Sequence, residues 1–291
     1  MQEHELKLIR QAVQLAIEED ACDFSAKIPR GDHSSLSCIG PEVQAHARLL
    51  VKQSGLLAGA ELAGIIFEQI DPRLEVSFLR KDGDLIAIGE EVLHVKGSAL
   101  SILQAERLVL NYMQRMSGIA GITRRYVQLV SGTGCKILDT RKTSPGLRFF
   151  EKWAVRIGGG MNHRFGLYDM IMLKDNHVDF CGGVKNALKR AAEYKLRMGL
   201  NIPVEIETRN ITEVKEALEQ GGADRIMLDN FKPEAAAEAV RLIDKRCEVE
   251  ISGGINEQSV RIYAETGADF ISVGALTHSV QSLDLSLKAV I

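Results

Sequence analysis

Apolar positions near the start of the chain recur at helical spacing: Leu6, Ile9, Val13, Ala16 and Ile17 predict an amphipathic helix over 5–19. Beyond residue 43 the pattern becomes mixed. Segments 43–52 and 74–80 read as strands with a helix over 60–70 between them, Lys81-Asp82-Gly83-Asp84 reads as a turn, and 91–96 is another short strand. A long helical stretch follows over 98–130, with a break expected near Ser117-Gly118. From there the chain becomes regular. Apolar strand-like runs at 136–140, 170–173, 203–207, 225–228, 248–252 and 270–273 alternate with helical ones at 148–157, 183–198, 211–221, 233–245 and 256–266. Alternation of this kind produces parallel βαβ units, either as a barrel or as a doubly wound sheet. The even spacing of the last strand starts (203, 225, 248, 270) favours a barrel. The final segment, 283–291, is expected to return to the first domain.

Side chains on a strand alternate between its two faces. One parity of the regular region is apolar: Leu138; Ile171 and Leu173; Val204 and Ile206; Ile226 and Leu228; Val249 and Ile251; Ile271 and Val273. These residues should face the surrounding helices. The other parity holds Asp139 and Arg141, Met172 and Lys174, Glu205 and Glu207, Met227 and Asp229, Glu250 and Ser252, Ser272 and Gly274. A barrel interior is ordinarily packed with branched apolar side chains, with chemistry confined to the C-terminal rim. Each unpaired buried charge would cost several kcal/mol by order of magnitude. A polar active site accounts for these inward charges better than a set of mutually compensating ion pairs.

Composition narrows the function classes. The 291 residues fit two domains, and 45% apolar with 26% charged residues at net charge −3 excludes a disordered chain. No uncharged apolar run approaches the ~18 residues that a membrane span needs; segment 55–67 is too short and contains Glu61. The first residues lack the basic-then-apolar order of a secretory signal, and a pI of about 6.2 argues against general nucleic-acid binding. Five scattered cysteines (Cys22, Cys38, Cys135, Cys181, Cys247) without a CxxC pair fit reduced thiols in a cytoplasmic protein.

The chemistry-bearing residues cluster after the strands. Asp139-Thr140-Arg141-Lys142-Thr143-Ser144-Pro145-Gly146 sets two cations and three hydroxyls in one loop, suited to an anion. Three glycines (158–160) precede Met161-Asn162-His163-Arg164, and Lys174-Asp175-Asn176-His177 ends the second strand. Converging Arg141, Lys142, Arg164 and Lys174 imply a ligand with more than one negative charge. Glu205, Glu207 and Asp229 carry the opposite sign and could hold Mg²⁺, while Asp175 with His177 is a weaker transition-metal alternative. Glu250 fits a ligand contact or an internal ion pair equally well. Ser252-Gly253-Gly254 and Gly274-Ala275-Leu276 read as a phosphate cradle, each leading towards a helix N-terminus. On composition alone, Arg107 looks like a surface ion-pair residue. The remaining histidines (His4, His33, His46, His94, His278) show no ligand spacing and read as structural or solvated.

These motifs, together with Glu106-Arg107, Asn111, Ser117-Gly118-Ile119-Ala120 and Leu228-Asp229-Asn230-Phe231, resemble the quinolinate phosphoribosyltransferase family, densely from about 105 to 280. The stretch Arg30-Gly31-Asp32-His33-Ser34-Ser35 departs from the family's Gly-Asp-aliphatic-Thr pattern. The resemblance implies an α/β protein with an N-terminal α/β sandwich domain (1–115, joined by 280–291) and an incomplete, six- or seven-stranded parallel α/β barrel (116–279). It further implies a cytoplasmic homodimer in which Arg107 reaches quinolinate in the neighbouring site. Arg141, His163, Arg164 and Lys174 would line the quinolinate pocket, with Lys142 beside it and towards the phosphoribosyl donor. Glu207 and Asp229 would meet the ribose hydroxyls and Mg²⁺ of phosphoribosyl pyrophosphate, and Ser252, Gly253, Gly254, Gly274, Ala275 and Leu276 would hold the 5′-phosphate. Lys142, Lys174, Glu207 and Asp229 are the expected catalytic residues. The reaction implied is phosphoribosyl transfer to quinolinate with loss of CO₂, giving nicotinate mononucleotide, with no nucleic-acid or membrane partner. Two rivals differ in class: a phosphoribosyltransferase for another acidic ring, which would need fewer cations, and a non-catalytic barrel that binds a phosphorylated metabolite, which would not need intact Glu207, Asp229 and Lys174.

Overall fold

The first predicted helix forms over Glu3–Ala21 (α1) and buries Ile9, Val13 and Ile17, one residue per turn. In this computed structural model every residue except 1, 2, 24 and 291 is described, and the chain divides into two units. The first comprises 1–122, 145–158 and 280–291, and the second 123–144 and 159–279.

In the first unit α1 is followed by a short helix, His33–Cys38 (α2), that the hydrophobic pattern does not announce. Its start is set by Asp32, whose carboxylate accepts the N–H groups of Ser34 and Ser35 and the Ser35 hydroxyl, an N-cap in the stretch that departs from the family pattern. Next come Gln44–Val51 (β1), Gly55–Leu56 (β2), Ala60–Ile70 (α3), Glu75–Phe78 (β3), Leu85–Ile86 (β4) and Glu91–Ser98 (β5). Among the described residues, strand β2 pairs only with β4. The returning C-terminal segment forms a strand, Leu285–Ala289, called β12 by its place in the chain. It runs antiparallel to β1 and completes a sheet of order β12-β1-β5-β3. Ala47, Leu49, Val51, Leu93 and Val95 are buried, whereas Arg48, Lys96 and Lys288 are exposed. With Leu62, Ile66 and Phe67 of α3 fully buried as well, this unit has the expected sandwich of sheet and helix.

The long helix is unbroken from Ala99 to Leu129 (α4). Ser117 does not end it, because its hydroxyl donates to Ala58 O and accepts Ala58 N–H. Gly118 is kept small by packing. A Cβ there would fall within contact distance of Gln281 O and 2.9 Å from Val280 Cγ1. The expected break thus misreads a close approach as a helix end.

The second unit holds Lys136–Leu138 (β6), Ile171–Leu173 (β7), Val204–Thr208 (β8), Arg225–Asp229 (β9), Glu248–Ser252 (β10) and Phe270–Ser272 (β11). All pair in parallel in the order β6-β11-β10-β9-β8-β7. The two end strands are not paired with each other; an isolated parallel bridge joins Leu138 to Met161. This is the incomplete barrel. Its helices are Asp175–Cys181 (α6), Val184–Met198 (α7), Ile211–Gln220 (α8), Pro233–Ile243 (α9), Val260–Ala264 (α10) and Ala275–His278 (α11). The helix expected over 256–266 is a single short segment. Helix α5, Arg148–Ile157, lies between β6 and β7 in sequence yet belongs to the first unit, where Glu151 is ion-paired with Arg115 and Phe150 meets Tyr112 edge-on.

Two glycines of α4 separate propensity from packing. Replacing Gly in a helix by Ala gains up to about 1 kcal/mol, whereas overfilling a packed contact costs about 1–3 kcal/mol. Nothing lies within 4 Å of a Cβ at Gly121. Gly121→Ala should therefore raise the melting temperature and Gly118→Ala lower it by several degrees, as thermal unfolding followed by circular dichroism will show.

Candidate active site

At the C-terminal ends of the barrel strands lies a cavity of about 890 Å³, and residues from every strand end contribute to it. Of the residues singled out in the sequence, Arg141, Lys142, His163, Arg164, Lys174, Glu207, Asp229, Ser252, Gly253, Gly254, Gly274 and Ala275 line this one space. Leu276 does not: it is buried in the core and its N–H turns back to Val273 O. Arg107 lies exposed on α4 in the first unit and is not among the lining residues.

The inward charges sort by depth. Nearest the mouth are Arg141, Arg164, Lys174, Glu207 and Asp229. Arg141 and Arg164 each have a buried Nε without a hydrogen-bond partner, and burial together with the like charge of Arg141 lowers the pKa of Arg164. Two guanidiniums with unmet donors in one cavity fit an anion. The Lys174 ammonium stands 4.0 Å from Glu207. Burial first, and Asp229 second, raise the Glu207 pKa. A cation between the two carboxylates would relieve that repulsion, so this donor set fits Mg²⁺.

Deeper lies a compensated cluster. His163 Nε2 is 3.0 Å from Glu205 and 3.4 Å from Glu250, while Arg225 Nη1 is 2.9 Å from Glu250 and 3.8 Å from Glu205. Glu205 and Glu250 are both fully buried. Register explains the gathering: Glu205 is paired with Arg225 across β8 and β9, and β10 flanks β9 on its other side. Burial works against a charge on His163 and the two carboxylates work for it, raising its pKa above the ordinary imidazole value; because Nδ1 accepts the Arg164 N–H, the proton they hold is the one on Nε2. Glu250 is therefore an internal ion-pair partner that also forms part of the cavity floor. Glu205 sits too deep to join Glu207 and Asp229 around a metal, which corrects the expectation for it. Ion pairing, set aside above in favour of a polar site, does account for this lower layer.

Loop geometry follows from Asp139. Fully buried, its carboxylate accepts the His163 N–H at 2.8 Å and the Asn162 side-chain amide at 2.6 Å, tying the loop that carries His163 and Arg164 to the end of β6. His177 Nδ1 accepts the Lys174 N–H at 2.9 Å in a capping box at the start of α6, so it serves the helix and is not poised as a metal ligand.

The glycine cradle depends on conformation more than on helix ends, since α11 is one turn and α10 starts only at Val260. Gly253 has φ +97°, and a Cβ there would collide with the Asn230 side-chain amide and lie 2.9 Å from Asn230 N. A Cβ on Gly274 would come within 3.1 Å of the His278 ring and 3.3 Å of Lys142 Cδ.

Two residues escaped the sequence reading. His278, taken as solvated, lines the cavity beside Gly274. Arg225 shares the inward parity of Met227 and Asp229, so the pleat could have found it; its position at the start of β9 hid it.

Comparison with known proteins agrees with this geometry. Residues 32–117 match the profile of the quinolinate phosphoribosyl transferase N-terminal domain, and residues 119–288 that of the C-terminal domain. The chain belongs to the quinolinate phosphoribosyl transferase family. It is 45% identical over 96% of its length to a chloroplastic nicotinate-nucleotide pyrophosphorylase [carboxylating] of Oryza sativa subsp. japonica, covering 77% of that protein. A probable nicotinate-nucleotide pyrophosphorylase [carboxylating] of Bacillus subtilis is 44% identical over 91% of this chain and 90% of its own. The solved nicotinate-nucleotide pyrophosphorylase of Francisella tularensis superposes with a TM-score of 0.87 at 34% identity, covering 98% of this chain and 97% of that one. No described helix of this family member is long and apolar enough to cross a membrane.

Adding a methyl group at Gly253 strains a positive φ and intrudes on Asn230. Gly253→Ala should raise the KM for a phosphoribosyl donor at least about tenfold and also lower the melting temperature by several degrees, as steady-state kinetics and a melting curve will show.

Proposed function

We propose that the chain transfers the phosphoribosyl group of phosphoribosyl pyrophosphate to quinolinate and releases CO₂, forming nicotinate mononucleotide, the step that feeds pyridine-nucleotide (NAD) synthesis. The observation that carries this reading is the meeting, in one cavity, of two arginines with unmet buried donors and an acidic pair. Quinolinate carries two ring carboxylates, and Arg141, Arg164 and Lys174 offer the fixed cations needed to desolvate and orient it, with His163 at the floor. Lys142 lies at the edge shared with the donor. Ser252, Gly253, Gly254, Gly274 and Ala275 receive the 5′-phosphate, and His278 adjoins that end. Glu207 and Asp229 meet the ribose hydroxyls and would hold Mg²⁺, which when bound offsets pyrophosphate charge and eases its departure.

Electrostatics and positioning suffice for the chemistry. The bond from ribose C1 to pyrophosphate breaks as positive charge develops at C1, which the nearby carboxylates stabilise. The ring nitrogen, aimed by the cations, donates its electron pair to C1. The new pyridinium withdraws electrons, so the bond from ring C2 to its carboxylate breaks. CO₂ leaves, the electron pair stays at C2, and C2 takes up a proton. No side-chain nucleophile is needed.

Arg107 is assigned to a second copy's cavity in a homodimer, a reading supported by its exposure and by its absence from the lining of this chain's own cavity. A cytoplasmic setting accords with five cysteines that are all free thiols.

Pyrophosphate release on mixing quinolinate, donor and Mg²⁺ tests the activity, with nicotinate as the control ring. Turnover should require quinolinate and cease when EDTA removes the metal. Arg141→Ala or Lys174→Ala should cut kcat/KM for quinolinate by about 100-fold or more, and Glu207→Ala should mainly raise the donor KM. Wild-type rates in Arg141→Ala would remove the dicarboxylate pocket. For Arg107, co-expressing the inactive Arg107→Ala and Lys174→Ala chains should restore part of the activity, since a mixed dimer rebuilds one intact site; no recovery in purified mixed dimers would place Arg107 elsewhere.

A further inference from the structure

The lower cluster holds two groups that the reaction does not touch. Neither Glu205 nor Arg225 is among the residues lining the cavity, yet both adjoin one that is. The Glu205 carboxylate is fully buried, and neither of its oxygens has a hydrogen-bond partner among the described residues; the charged groups closest to it are His163 Nε2 at 3.0 Å and Arg225 Nη1 at 3.8 Å. Arg225 is fixed from several sides at once, by Glu248 at 2.9 Å, by Glu250 at 2.9 Å, and by the Phe270 ring, whose centroid lies 4.2 Å from its guanidinium carbon. His163 in turn is held at two further points. Its backbone N–H donates to Asp139, and its Nδ1 accepts the backbone N–H of Arg164 at 2.7 Å. Since that ring nitrogen is already an acceptor, the proton that the ring always carries sits on Nε2 and faces the carboxylates.

A chain of contacts therefore runs from Arg225 through Glu205 to the His163 ring, then through Nδ1 to the Arg164 amide. The Arg164 guanidinium at its end donates to Met170 O at 3.3 Å and keeps its Nε unmet in the cavity wall. Rotating the His163 ring by half a turn would put Cε1 where Nε2 faces the carboxylates and Cδ2 where Nδ1 accepts the Arg164 amide. The carboxylates below, which face the Nε2 proton, disfavour that flip.

We propose that Glu205, backed by Arg225, is a positioning residue that orients the His163 ring and through it Arg164, and so sets affinity for the dicarboxylate ring without touching it. This deepens the quinolinate reading and rests on it. The residues assigned to the donor, Glu207, Asp229 and the glycine cradle, make none of the contacts in this chain.

The test is Glu205→Gln, which keeps the shape and replaces the carboxyl group facing His163 with an amide. The KM for quinolinate should rise about tenfold or more, while kcat changes less than about threefold and the donor KM less than about twofold. Glu205→Asp, which keeps the carboxyl group but withdraws it by one methylene, should recover part of the loss. A merely structural role would instead lower kcat and both KM-based efficiencies together, with no recovery in Asp. A second measurement needs no variant: ¹⁵N NMR of the histidine-labelled wild-type chain should show His163 Nε2 protonated throughout pH 6 to 8. A proton on Nδ1 alone would overturn the proposal, and this measurement decides if neither variant folds. Wild-type turnover combined with an unchanged quinolinate KM in Glu205→Gln defeats this inference alone; a wild-type chain that releases no pyrophosphate defeats the quinolinate reading instead.

Discussion

The structure depends on how a barrel interior can tolerate many charges. An unpaired ion out of water costs several kcal/mol even after relaxation. Depth supplies the solution. At the lower level Arg225 and His163 stand among Glu205 and Glu250, close enough to compensate one another. Further up the same strands stand Glu207 and Asp229, with Lys174 4.0 Å from Glu207, and the neighbouring loops present Arg141 and Arg164 with donors unmet. The lower level sets its charges against one another, although the Glu205 oxygens lack hydrogen-bond partners among the described residues. The upper one keeps charges of both signs where a ligand can meet them.

Much of this was legible in the sequence because parallel strands obey a strict two-residue alternation. The inward parity from Asp139 to Gly274 covers most of the cavity wall, and βαβ alternation predicts the barrel. Depth along the strand was not legible in the same way. Glu205 and Glu207 look identical in a list, and only the register of β8 against β9, which sets Glu205 beside Arg225, tells them apart. Helix ends were harder still. Ser117-Gly118 looks like a stop, but a hydroxyl spent on Ala58 and a backbone approach from Gln281 make it a packing feature. His278 was missed because its role depends on a turn at Gly274 that brings a solitary histidine back over the cavity.

Backbone geometry complements the charges. Asp139 spends a buried carboxylate on one loop, and Gly253 adopts a conformation that side chains resist, so both walls of the cavity are shaped before a ligand arrives. That is the condition under which positioning alone can carry a reaction without a nucleophile.

The opening between β6 and β7 has its own consequence. A closed barrel leaves no strand with unsatisfied ribbon edges, whereas this one ends in two, and Met161 from the segment between them meets the β6 edge at Leu138. The β7 edge carries half-buried Ile171 and Leu173, the kind of strand that another chain can extend. The hazard of sticking to other nascent chains is thus concentrated at one seam of the second unit, which makes solubility during folding depend on two short strands.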